Sequence, residues 1–127
     1  MLTEPELFQW LKHFYYPDLL MSGDQFSSHD CISDKHNYFI ELKSRHTHYD
    51  DLLIEKAKYD SLFYRAKKGY KPIYINATER GVWQFNLKDL PEPKWEVRIM
   101  PANTEFTERV EIDKIVGYFN IKDGIWL

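Results

Sequence analysis

Cysteine is nearly absent: Cys31 is the only one in 127 residues. An intramolecular disulfide is therefore excluded, as is a zinc site built on two or more thiolates, and a reducing compartment is compatible with the chain. There is no excess of positive charge either. Seventeen Lys and Arg against twenty Asp and Glu leave a net charge of -3, so any hold on nucleic acid needs a local basic patch or bound cations. No apolar run approaches the roughly 20 residues that span a bilayer, and no basic segment followed by an apolar one opens the chain. A soluble, cytoplasmic protein with no membrane partner is expected. Internal repeats and low-complexity segments are also missing, which argues against a second domain.

What is present points to a folded chain. Apolar residues make up 43% and aromatics 17%, a composition that disordered segments do not show. The length suits one domain, residues 1–127, with a sizeable core.

Thr3-Glu4-Pro5-Glu6 is a capping-box pattern opening an amphipathic helix with Leu7, Trp10, Leu11 and Phe14 at three- and four-residue spacing. Its end is expected near Tyr16, before Pro17. Gln25 to Ile32 and Tyr38 to Lys43 read as two strands of a hairpin joined through polar residues 33–37. In the second strand Glu41 and Lys43 share one face, because side chains alternate with period two. An apolar run ending in an acid and a base on one face suggests a charged site at a strand end; a surface ion pair is the competing reading. The hairpin sets Asp30 beside Glu41, which favours Asp30 over Asp18 and Asp34 as the third member.

A helix is expected from Asp50 or Asp51 to about Lys68, stopped by Gly69. On it Leu52, Tyr59, Leu62, Phe63 and Ala66 share an arc that also includes Glu55. A carboxylate on a buried face needs a partner, so Glu55 is a site candidate. Lys58, Ser61 and Arg65 form a basic flank that can meet phosphates, or an ordinary solvated face. His46 and His48, in the preceding loop, could contact phosphate or metal. Further strands are expected at 71–77, 82–87 and 95–99, a loop at 101–107, and a short helix at Lys114 to Tyr118. Helices flanking a mixed sheet are the natural way to bury both its faces.

Asp30, then Glu41-Leu42-Lys43 on an adjacent strand, then a helix, resembles the PD-(D/E)xK nuclease superfamily. The order of helix, hairpin, helix and strand extends the resemblance over about residues 3 to 78. His29 stands where the motif has Pro, and Glu55 with Tyr59 matches the spacing of the Gln-x-x-x-Tyr helix motif of RecB-like members, with Glu for Gln. The resemblance implies an α/β, three-layer restriction-endonuclease-like core, a central mixed sheet flanked by helices, here with extra C-terminal strands. It also implies hydrolysis of DNA phosphodiesters with Mg2+ or Mn2+, in recombination, repair or phage genome processing, by one subunit of a homodimer. Asp30, Glu41 and the Leu42 carbonyl would bind the metal, Lys43 would orient the water, and Glu55 would join them. Arg45, His46, Lys58, Tyr59 and Arg65 would contact nucleic acid. A non-catalytic binding or assembly module on the same fold is the alternative.

Overall fold

The computed structural model describes residues 1–22, 30–66, 69–101 and 111–127. Thr3 and Glu6 cap α1 (Glu4–Phe14) reciprocally: Thr3 N donates to Glu6 Oε1 at 3.0 Å, and Glu6 N donates to Thr3 Oγ1 at 3.3 Å. Leu7 and Leu11 are fully buried, whereas Phe14 is exposed, so the helix buries a narrower stripe than its spacing predicts. Beyond it run β1 (Leu20–Met21), β2 (Asp30–Ser33) and β3 (Tyr38–Ser44), each antiparallel to the one before. The expected first hairpin strand is described only from Asp30 onward, and its earlier part lies outside the described residues. Asp18 braces the hairpin turn, accepting from Ser33 Oγ and Lys35 N at 2.9 Å each. Asn37 closes it at φ 57°, a left-handed conformation that Asn tolerates better than most residues.

The helix expected from residue 50 or 51 to 68 is corrected at its first half. Asp51–Glu55 is a strand, β4, and the helix, α2, occupies Lys56–Arg65. Leu52 and Ile54 are buried on one side of β4, which fits period two as well as the helical arc once a partner strand exists. That partner is β8 (Glu111–Asn120), reached after β5 (Lys71–Thr78), β6 (Gly81–Asn86) and β7 (Glu96–Pro101). β8 also overturns the short helix expected at Lys114 to Tyr118. Its β-branched Ile112, Ile115 and Val116 suit a strand, and pairing with β4 on one side and β7 on the other satisfies its backbone. The expected loop at 101–107 lies outside the described residues apart from Pro101. β9 (Ile125–Trp126) ends the chain on β6.

Among the described residues the result is a mixed α/β architecture with two α-helices, a six-stranded mixed sheet in the order β1-β2-β3-β5-β6-β9, and a three-stranded antiparallel sheet in the order β4-β8-β7. β3 and β5 are parallel; the other strand pairs in the large sheet are antiparallel. Alternation along β3 divides the core. Ile40 and Leu42 face Leu7, Leu11 and Leu19 on the α1 side, while Phe39 joins Leu52, Ile54, Tyr59, Leu62 and Phe119 on the side of α2 and the small sheet. Glu41 and Lys43 project on the Phe39 side. No helix among the described residues is long and apolar enough to cross a membrane.

Gly117 in β8 lets Pro93 and Trp95 lie directly on the strand: a Cβ there would sit 2.6 Å from the Pro93 Cβ and 3.0 Å from the Trp95 ring. Gly117→Ala is expected to lower stability by about 1–3 kcal/mol through overpacking, read as a shift in the urea midpoint with unchanged slope.

Candidate active site

The β2–β3 register puts Asp30 opposite Glu41, so the two carboxyls emerge side by side on one face of the large sheet. Both are nearly enclosed, at 6% and 8% exposure. Two adjacent acids removed from water cannot both ionise cheaply. Burial, then the hydrogen bond and the charge of Asp30, push the Glu41 carboxyl up to about 8, and nearby Lys58 opposes the shift. Lys58 Nζ lies 3.6 Å from Glu41 Oε1, and Arg65 Nη1 is ion-paired and hydrogen-bonded to Asp30 Oδ2. Both cations come from α2 and keep exposed side chains, at 59% and 44%. The basic flank expected on this helix is thus turned partly inward, onto the carboxylates.

Lys43 lies two residues beyond Glu41 on the same face of β3. It is half-buried and makes no hydrogen bond or ion pair among the described residues. Asp30, Glu41 and Lys43 are therefore brought together as the strand reading expects.

Glu55 is placed differently. It stands at the N-cap position of α2 at the end of β4, on the side of that strand opposite Leu52 and Ile54; its side chain makes no capping hydrogen bond, and its Oε1 is paired with Lys114 Nζ at 3.1 Å. The helical arc that set it on a buried face does not exist, because residues 51–55 are extended. Tyr59 is 8% exposed and packs on Phe63 and Trp95, so its ring belongs to the core. Arg45 also turns inward. Its Nε donates to Asn76 Oδ1 at 3.0 Å, and Nη2 donates to Tyr74 Oη at 2.9 Å and to the Leu53 carbonyl. His46 is exposed. His48 is occupied by Thr78 Oγ1 at 2.8 Å and Asp50 Oδ1 at 2.9 Å.

Two participants are not anticipated from sequence. Lys114 holds Glu55, and nothing in a strand that reads as solvated surface marks it. Asn76 is fully buried on β5 as the register partner of Lys43. Its Nδ2 is a buried donor without an acceptor among the described residues. An Asn interrupting the apolar run Ile73-Tyr74-Ile75 was the available signal.

Among the described residues no three His, Cys, Asp or Glu side chains gather where they could hold one ion. The donor set is therefore two carboxylates, with Leu42 the next residue on β3 beyond the Asp30–Glu41 pair. This set fits magnesium or manganese. Such ions take hard oxygen ligands, and magnesium is held through one or two carboxylates while keeping several waters. Two crowded, buried carboxyls also gain by a positive charge between them. Cys31, the neighbour of Asp30, lies on the opposite side of β2, where burial first and then Asp30 and Glu41 push its thiol up, so it stays protonated and inert. Comparison with family models, curated proteins and solved structures finds no match for this chain.

The raised Glu41 group fixes a pH dependence. Its folded value of about 8 exceeds the ordinary 4.5, so the folded chain holds a proton that the unfolded chain releases. The stabilisation is complete below about pH 4.5 and is lost as pH rises through about 8. In metal-free buffer the urea midpoint should fall between pH 5 and 8.5, and Glu41→Gln should flatten that fall. A midpoint that rises over the interval in the parent chain contradicts the assignment.

Proposed function

We propose that the chain is a metal-dependent nuclease that hydrolyses DNA phosphodiesters, built on a restriction-endonuclease-like core of the PD-(D/E)xK type. The observation that carries this reading is the enclosed Asp30–Glu41 pair on adjacent strands, with Lys43, which has no partner among the described residues, next on the same face. The chain order supports it: α1, a hairpin bearing the acids and the lysine, α2, then a strand parallel to β3.

In this reading Asp30, Glu41 and the Leu42 carbonyl would hold Mg2+ or Mn2+, which would supply charge stabilisation for the phosphate oxygens and a more acidic water. Lys43 Nζ positions the attacking water by hydrogen bonding and offsets charge on the phosphate. Arg65 pairs with Asp30 and Lys58 lies beside the Glu41 carboxyl, and both are exposed enough to turn to the substrate. Glu55, paired with Lys114, acts by fixing the start of α2 and hence the height of Lys58. Cutting both strands needs two sites, so a homodimer in the cytoplasm is part of the proposal, with recombination, repair or phage genome processing as its setting.

A second reading, a non-catalytic binding or assembly module, is favoured by one observation. Arg65 and Lys58 already satisfy both carboxylates, as a purely structural charge cluster requires. Manganese titration by calorimetry separates the two, since a structural cluster gives no binding heat.

The activity itself is tested on labelled linear, nicked, flapped and four-way DNA with Mg2+ or Mn2+. Cleavage is expected in the parent chain and should fall by about a hundredfold or more in Lys43→Ala and in Asp30→Ala, with the circular dichroism spectrum retained. Undiminished cleavage in both variants overturns the assignment.

A further inference from the structure

A second concave feature lies beyond the carboxylate pair. A cavity of about 640 Å3 is lined by the segment from His48 to Leu53 together with Arg45, Arg80, Arg98 and Tyr118. Its volume is that of a small-molecule site. Three guanidinium groups against the two carboxylates of Asp50 and Asp51 leave the lining with an excess of positive charge in an acidic chain, which favours an anionic occupant.

The three arginines are not equivalent. Arg45 is committed to Asn76, Tyr74 and the Leu53 carbonyl and forms part of the wall. Arg98 is exposed and spends one N–H on Tyr118 Oη at 2.7 Å, which leaves the rest of its donor fork open. Arg80 is exposed, and its guanidinium has no partner among the described residues. The carboxylates of the lining are hydrogen-bonded elsewhere and make no direct contact with these two: Asp50 Oδ1 pairs with His48 Nε2 at 2.9 Å, and Asp51 accepts from Asn120 Nδ2 at 2.9 Å. Tyr49 is 65% exposed at the rim and offers a free aromatic face.

Two open guanidinium forks beside an exposed ring match the two halves of a nucleotide: a phosphate that takes paired N–H donors, and a base that stacks. The position in the chain agrees, because Arg45, in the cavity wall, directly follows the end of β3, the strand that carries Glu41 and Lys43. We propose that this cavity seats a nucleotide of the DNA strand away from the scissile phosphate, with Arg80 and Arg98 on its phosphate and Tyr49 on its base. The inference rests on the nuclease reading and supplies that reading with a substrate-holding subsite.

The test is fluorescence anisotropy of a labelled 20-nucleotide single strand on the full chain, with Ca2+ replacing Mg2+, across a salt series. The parent should bind, and the double variant Arg80→Ala/Arg98→Ala should bind at least tenfold more weakly. Its log–log salt slope should be shallower by about 0.7, the loss of one neutralised phosphate on a single strand. Tyr49→Ala should weaken binding about fivefold with the slope unchanged. Arg80→Ala alone removes a side chain with no described partner, so it keeps the test valid if the Arg98 change lowers the melting temperature. Equal affinity and equal slope in parent and variants overturn the subsite and leave the nuclease reading standing. A parent chain that binds neither single- nor double-stranded DNA overturns both.

Discussion

Beside the apolar cluster between them, the two sheets are tied together through one polar side chain, Arg45. The small sheet presents the edge of β4 to the face of the large one, and the Leu53 carbonyl on that edge is claimed by the Tyr74 hydroxyl at 3.0 Å and by Arg45. Arg45 in turn binds Asn76 and, through its backbone N–H, the Ala77 carbonyl at 2.9 Å. A free strand edge buried against a sheet would leave carbonyls without donors, and a guanidinium with a planar fork can satisfy several at once. The placement of β4 sets where α2 begins, and α2 carries Lys58 and Arg65 to the carboxylates. The candidate site therefore depends on a residue that touches none of its acids.

β3 is the other organising element, because its two faces serve different ends. On the α1 side it contributes Ile40 and Leu42 to an apolar core. On the other it changes from Phe39 to Glu41 and Lys43, so packing gives way to charge within one strand. Stability and chemistry are thereby separated by the pleat. Asn76 and Tyr74, the register partners on β5, extend the polar row sideways. Burial of Glu41 then follows from its location between α2 and the sheet.

Much of this arrangement was legible in the sequence where the determinants are local. The capping box of α1 and the alternation of β3 depend on neighbours a few residues away, as does the polar turn that sets Asp30 opposite Glu41. What could not be read are pairings between distant segments. Leu52-Leu53-Ile54 fits a helical arc or a strand equally well, and only β8, some 65 residues later in the chain, decides between them. The misplacement of Glu55 follows directly from that ambiguity, as does the helix expected within β8. Arg45 and Tyr59 look like surface contacts by type, and their burial depends on the edge of β4 and on Trp95. Lys58 and Arg65 were recognisable as a basic flank, but their reach to the carboxylates depends on the tilt of α2, which no spacing rule contains.

Cys31 has one further consequence. It is the chain's only thiol, it is fully enclosed on the α1 side of β2, and it is bonded directly to Asp30. A thiol so placed reacts with an alkylating agent only when β2 lifts from β3 or from the helix packed beneath it, so its rate of modification reports local opening of that strand. The protein thus carries a native kinetic probe one residue from its buried acids, on the face where a label leaves the charged groups untouched until the strand has already moved.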